Sequence, residues 1–298
     1  MIPSFWAILS TLLFSLATPL SKILSAHYPP LFLAGLFYGG SALGALVGLI
    51  RPLGLAPDTP RAFWDFSGLA LRTRLALGGS VLAGGVVAPA LFVRGLSGAR
   101  ASAGSLLMNA EGILTVILAV ILFRERLTPR LLAGTLLGAG GCALLSLQGS
   151  LGTGLWALPF LGAAFLWALD SNLLRFLSGI NPLVLTVWKG VASSVLLLFL
   201  SSRFESWRMP SPTDAGLILA VGGIGYGASL VFFIRSIRMI GVSRTGAWFS
   251  FSPFFGAALS LVVLGEPVPG VFLVAAGVLL VAAVLLSEKG REETALPP

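Results

Sequence analysis

The sequence predicts an all-α integral membrane protein, with ten transmembrane helices in two inverted five-helix repeats. Three observations carry that expectation. Of the 298 residues, 56% are hydrophobic and only 10% charged, and mean hydropathy is +0.98, whereas a soluble domain carries about 25% charged residues. The apolar residues come in runs of roughly 20, the length that spans a bilayer as a helix. Segments such as Ile113 to Phe123 lack the alternation of barrel strands. Finally, the stretch from Ser97 to Arg130 shares its outline with the stretch from Met239 to Gly270. A shift of 141 places Arg94 on Arg235, Ser102 on Ser243, Gly112 on Pro253 and Glu125 on Glu266.

Hydropathy with charge and Pro/Gly punctuation places the spans at 4–24, 31–50, 73–94, 99–123, 130–148, 155–175, 182–201, 215–235, 242–264 and 268–286. The first is kept as a span because it lacks a positive n-region and its apolar part exceeds that of a secretory signal. Most connections are very short. The longest, Arg51 to Arg72, carries Pro52, Pro57 and Pro60 and then Phe63 to Phe66, whose Trp64 suits an interfacial segment. This divides the chain into a first repeat at 1–148, a second at 149–286 and a charged tail at 287–298, expected to be a disordered cytoplasmic segment.

The net charge of +8 does not point to nucleic acid, because the basic residues lie between apolar spans and form no Lys/Arg run. They suit the surface of a lipid bilayer. With the N-terminus inside, thirteen Lys and Arg fall on the cytoplasmic side and five on the other, so both termini are expected to be cytoplasmic. Five spans per repeat is an odd number, so the repeats enter the membrane in opposite senses. Arg126 and Arg130 follow Glu125, whereas Pro267, Val268 and Pro269 follow Glu266, which agrees with inversion. Inverted repeats are typical of secondary transporters, where a midplane site lies between the halves.

These features resemble the drug/metabolite transporter superfamily, specifically its EamA-type ten-helix exporters. The residues that carry the resemblance are FSLATPLSK and WALDSNLLR in the first span of each half, and ILFRERLTP and LVVLGEPVP at the end of each fourth span. Phe251 to Pro253 and the pair Gly265 and Glu266 fit the family pattern best. The first half departs from it, with Gly112 where proline is usual and Arg124 where glycine precedes the glutamate. Among these exporters the chain is most similar to the bacterial aromatic amino acid exporters. That resemblance implies a bacterial-type inner membrane and a small-molecule substrate.

Candidate site residues fall into three sets. Glu111, Asp170 and Lys189 lie inside spans, where an unpaired charge costs at least ~2.5–3.5 kcal/mol, so each should face a partner, water or a substrate. Asp170 and Lys189 either pair as packing glue or serve substrate or protons. Glu125 and Glu266, at span ends, read as solvated or capping groups. The second set is aromatic: Phe14, Trp167, Tyr226, Trp248 and Phe251 suit an apolar or aromatic substrate side chain, and Thr18, Asn109, Ser171 and Ser252 could bind its polar end. The third set is Pro19, Pro89, Pro159 and Pro253, each bending its helix either for packing or as a hinge. Gly40, Gly44 and Gly48, and Gly223 with Gly227, read as faces for close helix contact.

His27 is the sole histidine and Cys142 the sole cysteine, so no internal disulfide or Cys-rich metal site is expected. No HExxH, GxSxG or phosphate-loop motif occurs, and neither an enzyme nor a cofactor is expected. The reading is a secondary carrier exporting an aromatic or other large apolar amino acid, with protons as candidate coupling ions. The alternative is an exporter of multiple drugs or lipid-like hydrophobic compounds.

Overall fold

The structure, a computed structural model, describes residues 4–50, 69–98, 104, 107–108, 110–124, 128–148 and 154–264, with scattered positions from 274 to 285. Among these residues no strand occurs. The helices are α1 (Phe5–Ser25), α2 (Pro30–Ile50), α3 (Leu71–Gly98), α4 (Ala110–Phe123), α5 (Pro129–Gln148), α6 (Ala157–Leu177), α7 (Pro182–Phe204), α8 (Pro212–Phe249) and α9 (Ser252–Leu264). Six of them are long and apolar enough to cross a membrane, and 50–61% of each is buried. The remaining faces carry side chains such as Leu12, Leu75, Val195 and Phe199 outward, as lipid contact requires. Most of the tenth expected span, the interfacial segment, Glu125, Glu266 and the tail lie outside the described residues.

Helix starts follow local chemistry. Asn181 accepts from the Leu183 amide at 2.9 Å, Ser211 from the Asp214 amide at 3.1 Å and Thr128 from the Leu131 amide at 3.2 Å. Each is followed by a proline, whose missing N–H costs nothing in the first turn. Pro159 likewise sits in the first turn of α6, where a missing N–H costs nothing.

Two spans are wound differently from the expectation. Residues Val81–Val87 of α3 and Val221–Ala228 of α8 are π-helical, at almost the same shift of 141 that relates the two halves. Both windings fall on glycine-rich sequence. The fourth span of each half is also interrupted. Met108 forms a turn before α4, and Ser250 and Phe251 form one between α8 and α9. The expected single helix over 242–264 is therefore broken, and Pro253 falls in the first turn of α9, where no amide is missed. Gly241, at φ 80°, separates the eighth and ninth spans within α8.

The halves interlock. α2 packs chiefly on α7 and on the π-helical part of α8, α1 on α8 and α9, and α4 on α6. A Cβ on Gly40 would stand 2.7 Å from the Leu219 carbonyl oxygen, and one on Gly44 3.0 Å from Gly223 Cα, so this face does serve close approach. Ser10 and Ser229 exchange hydroxyl-to-carbonyl bonds of 2.8 and 3.0 Å between α1 and α8. At the ends, Lys22 donates to the Leu96 carbonyl at 2.6 Å, and Glu205 accepts from the Leu31 and Phe32 amides at the start of α2, each at 2.9 Å. Arg238 donates to the Ser178 and Ile180 carbonyls beyond α6. Tyr28 donates to Asp214 at 2.7 Å, which holds its phenol above the ordinary value.

Candidate functional site

Two adjoining cavities lie among α1, α2, α3, α4, α6, α7, α8 and the start of α9, of about 520 Å³ and 320 Å³ counting the space open to their surroundings. They share Phe14, Glu111 and Phe249. Phe14 is the aromatic hub, with ring centroids 5.6 Å from Trp167, 5.8 Å from Tyr226 and 5.2 Å from Phe249. Phe14 and Trp167 are repeat-related positions, and here they meet edge to face. Tyr226 stacks on Phe37 at 5.3 Å, which fixes the far wall.

The larger cavity holds the ion pair. Lys189 of α7, 1% exposed, donates to Asp170 Oδ2, and Ser80 Oγ donates to Asp170 Oδ1 at 2.5 Å. Both Asp170 oxygens are thus engaged. Gly84 lies against this carboxylate so closely that a Cβ there would overlap it. The proline at 89 explains the rest of the corner. It has no N–H to give Gly84 O, the carbonyl five residues back in the π-helical ladder, so that oxygen needs other donors. Tyr38 Oη supplies one at 2.6 Å and Trp167 Nε1 another at 2.9 Å. Pro89 therefore orients two cavity aromatics through the acceptor it frees.

Glu111 stands in the first turn of α4, 7% exposed, with its amide bonded to Met108 O at 2.9 Å. Its carboxylate has no hydrogen-bond partner among the described residues. The Ser171 hydroxyl, 4% exposed, also has none among them and lines the same cavity. Tyr226 Oη and the Ser21 hydroxyl are both buried and within hydrogen-bond geometry of no partner among the described residues. Thr18 and Ser252 line the smaller cavity, where the Ser252 carbonyl accepts from Ser15 at 3.0 Å. Gly112 sits where α4 crosses the break before α9, and a Cβ there would come within 3.0 Å of Ser250 Cα. The expected proline position thus holds the residue that the crossing admits.

The cavities gather Phe14, Thr18, Glu111, Trp167, Asp170, Ser171, Lys189, Tyr226 and Ser252 from the sequence-derived set. Asn109 lies outside the described residues. Trp248 and Phe251 do not line either cavity; they contact one another at 5.9 Å. Sequence reasoning missed Tyr38, Phe92, Phe233 and Phe249. Phe249 had a signal, since it is the repeat partner of Met108, which also lines the smaller cavity. Among the described residues no cluster of metal-ligating side chains occurs.

Comparison with known proteins agrees with this architecture. An uncharacterized transporter of Methanothermobacter thermautotrophicus is 32% identical over 197 residues, 61% of this chain and 55% of that protein. The chain thus spans little more than half the length of that relative. The uncharacterized transporter YyaM of Bacillus subtilis is 28% identical over 207 residues, 66% of this chain and 67% of that protein. A crystal structure covering 95% of both chains has a TM-score of 0.72 at 20% identity and shares the fold. The profile of the EamA-like transporter family matches twice, over residues 1–147 and 154–288. This multi-pass membrane protein belongs to the EamA-like transporter family.

Proposed function

We propose that the chain is a secondary carrier that exports small metabolites, foremost aromatic or other large apolar amino acids, by alternating access at the cavity between its two repeats. The observation that carries this reading is one cavity joining aromatic walls to charged groups with unused capacity. Phe14, Trp167, Tyr226 and Phe249 suit a flat apolar side chain, while Glu111 and Lys189 suit its polar end. Lys189 has three N–H donors and directs one to Asp170. The repeats at 1–148 and 149–286 are the rocking units, and the breaks near Met108 and Ser250 and the kink at Gly241 are where the backbone can bend between states. With no ATP motif in the sequence, transport runs on gradients. The membrane of this reading is a bacterial-type inner membrane, and the excess of basic residues on one side supports cytoplasmic termini.

A second reading, an exporter of hydrophobic cations, is favoured by Glu111 beside Phe14 and Phe249. Purified protein in liposomes tests both. Flux is measured across a panel of amino acids and cationic drugs, with and without a pH gradient. Saturable flux of phenylalanine, tryptophan or leucine above empty liposomes supports the first reading, and no amino acid flux at all defeats it.

A further inference from the structure

We propose that the cavity selects its ligand by charge: it takes an aromatic ligand with one net positive charge, whose ammonium pairs with Glu111, and it takes a zwitterionic amino acid only together with one proton. This rests on the carrier reading above and specifies the charge state of what is carried.

The argument is a charge count within the described walls. Asp170 and Lys189 neutralise one another, and Ser80 takes the remaining Asp170 oxygen. Asp170 is therefore a positioning residue for Lys189 and has no oxygen left for an incoming ammonium. Glu111 is the remaining charge. Around it, α6 presents Asp170, α7 presents Lys189 and α2 presents Tyr38, whereas α1 presents Phe14 and Thr18 and the α8–α9 break presents Phe249, Ser250 and Ser252. The ionised cavity thus carries one negative charge in excess. An arylalkylamine brings it to zero. A zwitterion leaves the excess in place, and one proton held by Glu111 removes it. An uncompensated charge at membrane depth is worth about a hundredfold in occupancy, so the neutral filled states dominate.

Geometry adds to the count. Glu111 belongs to both cavities, so a ligand ammonium there keeps its ring among Phe14, Trp167 and Phe249. The π-faces of these rings favour a cation at their edge of the cavity. The carboxylate of an amino acid would lie toward Lys189 and the Ser171 hydroxyl, both on the larger cavity.

The test measures binding of L-phenylalanine, 2-phenylethylamine and 3-phenylpropionate to the purified full chain by calorimetry between pH 6 and 9. The expected result is tighter binding of the amine than of phenylalanine by about tenfold or more at the alkaline end. Phenylalanine affinity should rise about tenfold per unit fall in pH while Glu111 is ionised in the empty cavity. Glu111→Gln should weaken the amine by about ten- to a hundredfold and abolish the pH slope for phenylalanine. The neutralised pair Asp170→Asn with Lys189→Gln should keep the preference for the amine, since it leaves the net charge unchanged. A phenylalanine affinity that does not fall at the alkaline end, where Glu111 has lost its proton and the amine gains, or an unaltered amine affinity in a folded Glu111→Gln protein, overturns the inference. Amine binding that follows Glu111 with no phenylalanine binding at any pH upholds the charge selection and defeats the amino acid reading. Phenylpropionate binding tighter than the amine defeats the charge selection alone.

Discussion

Replacing Gly84 with alanine should destabilise the protein through the site itself. The added Cβ would lie 2.6 Å from Asp170 Cβ and would overlap the carboxylate, where ordinary contact begins near 3.4 Å. The chain has two ways out. If α3 moves off α6, the cost is that of overpacking, about 1–3 kcal/mol. If Asp170 swings away, Lys189 is left buried without its counter-ion, at about 3–5 kcal/mol. Helix propensity returns only about 0.5–1 kcal/mol for the Gly→Ala change. The net expectation is a loss of roughly 0–2.5 kcal/mol, about 1–3 kcal/mol below a glycine-to-alanine change in open space on the same helix, and more if the pair breaks. Gly78→Ala is the control, because nothing stands within 4 Å of its Cβ position on the same helix. Thermal melting in detergent, followed by tryptophan fluorescence, compares the two. Gly84→Ala and Gly78→Ala proteins that melt together would refute the packing of Gly84 on Asp170.

Four further expectations can be measured, the first three in the same way and the last by substrate affinity. Asp170→Asn alone should cost about 3–5 kcal/mol, and adding Lys189→Gln should restore much of it; a double-mutant cycle without coupling would show that the pair does not form. Arg124 adopts φ 53°, the left-handed backbone that glycine takes at helix ends, so Arg124→Gly should stabilise by about 0.5–1 kcal/mol. Conversely, Gly241→Ala, at φ 80° with open space around it, should cost about 1–2 kcal/mol from backbone conformation alone, and a neutral result for both would remove the left-handed assignments. Trp248→Ala should leave substrate affinity nearly unchanged, while Phe249→Ala should weaken it several-fold; the reverse order would mean that the cavity wall is misassigned.

The membrane class and most helix limits were legible because they follow from apolar run length and from capping chemistry that acts within a few residues. Asn181-Pro182 and Ser211-Pro212 mark helix starts in the sequence alone. The interruptions were harder. A span is recognised by mean hydropathy, and a turn at Ser250 and Phe251 or a π-helical winding at Val81–Val87 leaves the mean unchanged. What decides them is tertiary, as with the Gly84 carbonyl that Tyr38 and Trp167 satisfy from other helices. Of the site, the three buried charges were evident because a charge inside an apolar run is costly and persists only where a partner, water or a ligand meets it. The aromatics were not separable by type, since Trp248 and Phe249 are neighbours in sequence and only the rotation of α8 directs one of them to the cavity.

The two departures from the family pattern in the first half now have physical meaning. Gly112 occupies a helix crossing that leaves no room for a side chain, and Arg124 bears a backbone strain to place a cation where glycine would end the helix freely. The scaffold itself repeats, in the paired π-windings and paired fourth-span breaks, whereas the charges do not. Glu111 corresponds to Ser252, Asp170 to Ala17 and Lys189 to Phe37 when the halves are aligned by their common spacing. A repeated scaffold gives two states of similar energy facing opposite sides, because exchanging the conformations of the halves regenerates the same contacts. Charges near the axis need no duplicate, since one set serves both states. On the proposed carrier reading, such a division confines substrate choice to a few residues of each half, and Glu111, which lines both cavities, is the position where one substitution is expected to change selectivity with the least effect on the fold.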